Sequence, residues 1–263
     1  MIEYSIGVMN MAKKKKKKKL KWGRVFIALI IVIVLIFGIY KSASFLIGQA
    51  IDLINDLLAG EKISTKKYRA TIIIDPGHGG YDVGANTKNI YEKDITLKTA
   101  QYLQKALEKK NIKVVLTRDK DIELNSDKST DLHMRAAMSQ QNQADYFVSI
   151  HVNDFANNNS VSGFEVYTRN NDSYSLAESI LTKMDALKIS KNRGIVDGSN
   201  LQVLRDNTVP SVLVELGYIK SSDFQYLTND SQLNNIAGAI ANGLEERIKE
   251  DKEVKNEGEN QGE

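Results

Sequence analysis

The sequence predicts a single layered α/β domain built on a central, mostly parallel, mixed sheet flanked by helices and preceded by an N-terminal membrane helix. Three observations predict it. From Ala70 onward, strand-like and helix-like segments alternate along the chain. The runs Ile72–Ile74 and Val212–Val214 are continuously apolar, as in strands covered on both faces. Far upstream, Val25–Tyr40 is an uncharged stretch introduced by a run of lysines.

Taken in order, residues 1–24 form a basic tail carrying Lys13 to Lys19, Lys21 and Arg24 against Glu3, a charge of +8. The whole chain carries +3, so the remaining 239 residues carry −5. The pI of 8.7 therefore reflects the tail and argues against nucleic-acid binding by the domain. Met11, directly before the lysines, is an alternative start to Met1. Residues 25–41 read as a transmembrane anchor or signal-anchor, with Lys21 and Trp22 on one flank and Tyr40 and Lys41 on the other. At about 1.5 Å per residue the uncharged core covers about 24 Å, and snorkelling of Arg24 and Lys41 makes spanning feasible. A cleaved signal peptide is the alternative, Ser42-Ala43-Ser44 resembling a small-residue cleavage site. The lysines place the N-terminus in the cytoplasm and the rest outside a bacterial cell membrane, or secreted if the segment is cleaved.

Residues 42–69 read as an amphipathic stalk and linker. Leu46, Ile47, Ala50, Ile51, Leu53, Ile54, Leu57 and Leu58 form one helical stripe, followed by the polar stretch Glu61 to Arg69. Residues 70–249 are the globular domain, and 250–263 a disordered tail rich in glutamate, asparagine and glycine. Strands are expected at Thr71–Asp75, Lys113–Thr117, Tyr146–His151, Gly163–Thr168, Leu201–Leu204 and Val212–Leu216. Helices are expected at Glu92–Lys109, Asp131–Gln141, Tyr174–Leu187 and Ser231–Lys249. The chain has no cysteine, which excludes thiolate metal sites, cysteine nucleophiles and disulfides.

In open α/β sheets functional groups collect beyond the carboxyl ends of strands. His78 follows the first strand in a glycine-rich turn, His151 closes another strand, Glu215 stands near the end of a third, and Glu92 opens the first helix. Two imidazoles and a carboxylate make a three-ligand zinc site with a position left for water, whose pKa the metal lowers. His78, Glu92 and His151 are therefore assigned to Zn2+, and Glu215 to proton transfer. Asp75 or a backbone carbonyl is expected to fix a histidine tautomer. Asn153 and Arg193 are the candidates for substrate binding. Arg118 and Arg135 read as structural ion-pairing residues, and His133 as an ordinary helix residue. No H-E-x-x-H, P-loop or G-x-S-x-G signature is present.

With these residues in view, the chain resembles the zinc-dependent N-acetylmuramoyl-L-alanine amidases of the type 3 family. The similarity spans roughly residues 71–249 and rests on IIIDPGHGGYDVGA, YEKDITLKTAQYL, VVLTRDKD, ADYFVSIHVND, SGFEVY, LQVLRDNTVPSVLVELGYI and SSDFQYL in that order. The resemblance implies zinc on His78, Glu92 and His151 with Glu215 catalytic, and a single domain with a six-stranded sheet. It also implies hydrolysis of the amide between the lactyl group of N-acetylmuramic acid and L-alanine of the peptidoglycan stem peptide. A monomeric catalytic domain is expected. A zinc peptidase acting within the stem peptide and a non-catalytic wall-binding domain are the alternatives. The chain departs from the family pattern at Asn89-Ile90-Tyr91, where a glycine commonly precedes the glutamate, and at Ser139, where asparagine is common nearby.

Overall fold

The computed structural model describes residues 67–155 and 159–260, together with six positions between 35 and 47. The chain divides into two units, Met1–Lys66 and Lys67–Glu263. In the first, Leu35, Phe37, Tyr40, Lys41, Ala43 and Ile47 are helical and exposed. Among the described residues no helix is long and apolar enough to cross a membrane. The segment expected to span one, residues 25–41, lies largely outside the described residues, as does most of the stalk.

The second unit is an α/β layered fold. Its main sheet has six strands: β1 (Thr71–Pro76), β4 (Lys113–Leu116), β5 (Tyr146–Asn153), β6 (Phe164–Thr168), β7 (Asn192–Asp197) and β8 (Ser211–Tyr218). Their spatial order is β4-β1-β5-β8-β6-β7. β4, β1, β5 and β8 pair in parallel, β6 meets β8 antiparallel, and β7 runs parallel to β6. The sheet is thus mostly parallel and mixed, as the alternation predicted. A small hairpin, β2 (Asn86–Thr87) with β3 (Ile90–Tyr91), precedes the first helix. Its two loop residues, Lys88 and Asn89, have φ of 50° and 61°, so the two-residue turn is made without the glycine that left-handed positions favour.

The helices are α1 (Glu92–Glu108), α2 (Lys128–Gln141), α3 (Asn171–Asp185), the single turns α4 (Gln202–Arg205) and α5 (Phe224–Leu227), and α6 (Asp230–Asn260). α2 and α3 begin three residues before the positions expected from hydrophobic periodicity. The Asp127 side chain accepts from Thr130 N at 2.8 Å and Asn170 from Ser173 N at 3.2 Å, and these caps set the starts. α6 continues to Asn260, past the expected end of order at 249.

One expected strand is not a strand. Leu201 caps α4 and residues 202–204 lie within it, and Leu201, Val203 and Leu204 pack together with Ile73, Phe147 and Leu213. The sixth strand is instead β7, a half-exposed edge whose Asn192-Arg193-Gly194 start carries no apolar signal.

Strand alternation gives the sheet two unlike faces. Ile72, Ile74, Val148, Ile150, Phe164, Val166, Val212 and Val214 point to one face, where they join Leu103 and Leu107 of α1, Leu176 and Ile180 of α3, and Ile236, Ile240 and Leu244 of α6. The other face carries the smaller cluster of Ile73, Phe147 and Leu213 beneath α2 and α4. Towards the carboxyl ends of β1, β5 and β8 this second face turns polar, with Asp75, Ser149, His151 and Glu215, joined by Glu165 from the amino end of the antiparallel β6.

Candidate active site

The parallel strands β1, β5 and β8 bring three of the four candidate residues to one edge. β1 ends at Pro76, and His78 stands two residues beyond it with φ of 63°. A non-glycine residue in the left-handed region carries strain that the surroundings must hold in place. Two buried arginines do so. Arg118 donates to Pro76 O at 2.9 Å and Gly77 O at 2.8 Å, and Arg135 donates to Pro76 O and His78 O, both at 2.9 Å. These residues were expected to pair structurally: both hold carbonyls of the turn that carries His78, and Arg135 also pairs with Asp75 and Asp131.

Glu92 is the first residue of α1, yet its carboxylate does not cap that helix. It is 3% exposed and accepts from Ala85 N (2.8 Å) and Val152 N (2.9 Å). One oxygen lies 3.0 Å from His78 Nε2 and the other 2.9 Å from His151 Nδ1. Burial opposes ionisation of this carboxyl, but His151 and His78 hold it far below the usual carboxylate range. The two imidazole rings meet edge to face with centroids 5.0 Å apart. One atom from each of His78, Glu92 and His151 fits within a 4.8 Å group.

This donor set fits a zinc ion. Ligand atoms about 2.1 Å from a tetrahedral ion are about 3.4 Å apart, so the three groups need move little to share one. The cradle also leaves no room for larger residues. A Cβ on Gly77 would stand 2.3 Å from the His151 ring, and one on Gly84, at φ +67°, 2.5 Å from Glu92 Oε2. The outer nitrogen of His78, Nδ1, lies 3.0 Å from Asp82 Oδ1, the arrangement by which a carboxylate orients a metal-binding imidazole.

The carboxylate beside a histidine ring is therefore Asp82 and not the expected Asp75. Asp75 is 1% exposed and receives Thr117 Oγ1 (2.6 Å), Ser149 Oγ (2.7 Å) and Arg135 Nη1 (3.0 Å), with no bond to a histidine. Burial would raise its pKa, but Arg135 and the two hydroxyls hold it below the ordinary value. His133 lies apart from the cluster, its side chain 67% exposed and 3.5 Å from Asp206.

Glu215 is the strand neighbour of His151 in the β5/β8 register. The residue keeps some exposed area, but its Oε2 is shielded and meets no hydrogen-bond partner among the described residues. Burial first, then the charges of Glu92 and Glu165, pushes its pKa well above the carboxylate range. His78, His151 and Glu215 share a cavity of about 260 Å³ with Tyr81, Leu132 and Leu213. An enclosed acid with a raised pKa beside a possible metal position has the makings of a general acid and base.

The remaining two candidates are drawn together elsewhere on the same edge. Asn153 Nδ2 and Arg193 Nε both donate to the carboxylate of Glu165, at 2.9 and 3.1 Å. Sequence reasoning passed over Glu165 and Asp82. The signal for Glu165 was the one that exposed Glu215, a lone acid inside an apolar strand. Asp82 was marked only by its place four residues after His78.

A profile of the N-acetylmuramoyl-L-alanine amidase family matches residues 72–246. The chain is 35% identical over 205 residues to the Bacillus subtilis protein YqiI, whose role is uncharacterised, covering 76% of this chain and 93% of that one. It is also 35% identical over 178 residues to the probable cell wall amidase LytH of Staphylococcus aureus, covering 66% of this chain and 57% of that protein. Among solved structures, the N-acetylmuramoyl-L-alanine amidase AmiC2 of Nostoc punctiforme superposes with a TM-score of 0.64 at 34% identity, over 69% of this chain and 98% of that one. The sheet order, the site at its carboxyl edge and these similarities together mean that the chain belongs to the N-acetylmuramoyl-L-alanine amidase family.

Proposed function

We propose that the chain is a zinc-dependent peptidoglycan amidase, hydrolysing the amide between the lactyl group of N-acetylmuramic acid and L-alanine of the stem peptide. The observation that carries this reading is the meeting of His78, Glu92 and His151 on one sheet edge beside a Glu215 whose shielded Oε2 has no hydrogen-bond partner among the described residues, in a chain of this family. A zinc ion held by those three residues supplies Lewis-acid polarisation of the scissile carbonyl and acidifies water. Glu215, acting as the carboxylate, accepts the proton given up by the attacking water and delivers it to the departing L-alanine nitrogen, so the carboxylate is restored at the end of the cycle. Asp82 holds the His78 ring, and Arg118 and Arg135 hold the backbone beneath it. Asn153 and Arg193 act on the substrate from the Glu165 flank.

The N-terminal pattern supports a tethered enzyme. Nine basic residues followed by sixteen uncharged ones fit a cytoplasmic tail and a single span, which would present the catalytic unit to the wall outside.

Digestion of purified peptidoglycan by the full chain tests the chemistry. The expected products carry new L-alanine amino termini and no new reducing ends, and the rate falls to background after chelation and returns with zinc. New reducing ends, cleavage inside the stem peptide, or an undiminished rate after chelation would contradict the proposal.

A further inference from the structure

Beside Glu215 lies a second buried acid with the opposite surroundings. Glu165 of β6 is the antiparallel register partner of Glu215, so the two side chains leave adjacent strands on the same face. Glu165 is 5% exposed, and its carboxylate is fully engaged. Oε1 accepts from Asn153 Nδ2 (2.9 Å), Tyr218 OH (3.0 Å) and Tyr167 OH (3.1 Å), and Oε2 from Arg193 Nε (3.1 Å). The four donors come from β5, β8, β6 and β7, so one carboxylate ties four neighbouring strands together at the site edge.

Such an acid has little freedom to turn towards a reacting group, because turning would break bonds to several donors at once. It is also an expensive way to fill space, since apolar residues of similar volume do that at least as well. What a multiply bonded anion does well is fix the direction of its partners. Here the partner with most capacity left is Arg193. Its guanidinium lies over the Tyr218 ring, 5.4 Å from the centroid, and its side chain remains 31% exposed. One N–H is used on Glu165, and a second reaches Ser162 O at 3.5 Å, so among the described residues the planar fork keeps unused donors on a side chain 31% exposed.

The flank opposite this wall has different chemistry. The cavity beside His78 and Glu215 is lined by Tyr81, Leu132, Leu201 and Leu213 and by the carboxylates of Asp82, Glu123 and Asp131, which repel a substrate carboxylate, with Lys128 paired to Asp82. A substrate with an uncharged acyl side and a carboxylate-bearing peptide side therefore has one favoured orientation across the site, with the peptide towards Arg193.

We propose that Glu165 is a positioning residue which orders Arg193 and Asn153 as a receptor for the stem peptide, Arg193 taking the free carboxylate nearest the scissile amide. This deepens the amidase reading and rests on it. Removing the acid frees the arginine to swing into water. The loss then falls on substrate binding and on the preference for a charged peptide, and leaves the proton-transfer residue in place.

The test compares muropeptides whose second residue carries a free carboxylate or its amide, with the full zinc-loaded chain and with Glu165→Gln and Arg193→Ala variants. Wild type is expected to favour the carboxylate form at least 10-fold in kcat/KM. Both variants should raise KM about 10-fold on that form, change kcat less than 3-fold, and lose the preference. Zinc content and Tm monitor folding, and Arg193→Ala, on the exposed rim, decides should Glu165→Gln be unstable. Calorimetric binding of the same muropeptides to Glu215→Gln, with and without Glu165→Gln, separates the two readings. Absence of new L-alanine amino termini with wild type sinks the amidase assignment alone, whereas equal affinities with and without Glu165, or an unchanged preference in Arg193→Ala, overturns the positioning role.

Discussion

The two faces of the central sheet are made of the same strands and do opposite things. Under α1, α3 and α6, residues such as Ile72, Ile74, Val148, Ile150, Val212 and Val214 form a dry hydrocarbon layer with no exposed area. Under α2 and α4, the apolar layer is thin and gives way to Asp75, Arg135, His151, Glu215 and Glu165. The first face gains stability from area removed from water, at about 25 cal/mol per Å². The second buries charge, where hydrogen bonds direct groups rather than add much net stability. Alternation along each strand assigns one set of residues to folding and the next to the site, so the two jobs should be separable by substitution.

The largest separation is expected at Glu215. Glu215→Gln should lower kcat 10²- to 10⁴-fold, the range for loss of a general acid and base, without destabilising the domain. Because folding raises the pKa of this acid, the folded state holds a proton that the unfolded chain releases above its ordinary value near 4.5. Stability therefore falls as pH rises from there towards the folded pKa, and the glutamine variant escapes that loss. In chelator at pH 7 it should be about 1 kcal/mol more stable than wild type by urea unfolding. A marked destabilisation would mean that Glu215 serves the fold.

Arg135→Ala comes next. It strips Asp75 of its counter-charge and the His78 turn of its carbonyl clamp, and the expected cost is about 3–5 kcal/mol in urea unfolding. The sign with pH is the reverse of that at Glu215. Asp75 is held below its ordinary value of 3.8, so its contribution is present above that pH and lost as pH falls through the lowered value. In the variant, acid unfolding should begin at higher pH. A cost under 1 kcal/mol, or an unmoved acid transition, would contradict the clamp.

The smallest effect belongs to the dry face. Ile74→Val should cost about 1 kcal/mol of stability and leave kcat/KM unchanged. A change in activity greater than about 2-fold would show that the faces are coupled more tightly than their composition implies.

What was readable in the sequence follows the same division. The apolar runs announced β1, β5 and β8, and once strand ends are known, the positions of His78, His151 and Glu215 follow from the rule that parallel strands gather their carboxyl ends. Glu92 was readable as the opening residue of a helix, but its two backbone donors, Ala85 N and Val152 N, come from segments far from it along the chain or around a turn. β7 escaped because an edge strand half open to water needs no apolar pattern, while Leu201–Leu204 had one for a different reason, packing α4 on Phe147 and Leu213. Asp75 was the expected partner for a histidine, and Asp82, four residues after His78, carried no signal of its own. Their roles are decided by the left-handed His78 backbone, which turns the ring towards Asp82, and by Arg135, which claims Asp75. Tertiary pairing of this kind leaves no local trace in the sequence.

In the proposed enzyme three residues distant in sequence, His78, Glu92 and His151, share one zinc ion and Glu215 acts beside it. Metal analysis of the full chain, stripped with chelator, reloaded with zinc and desalted, tests this arrangement most directly. One zinc per chain is expected in wild type and in Glu215→Gln, and almost none in His78→Ala, Glu92→Ala or His151→Ala variants that remain folded. Full zinc occupancy in those three variants, or its loss in Glu215→Gln, would contradict the assignment.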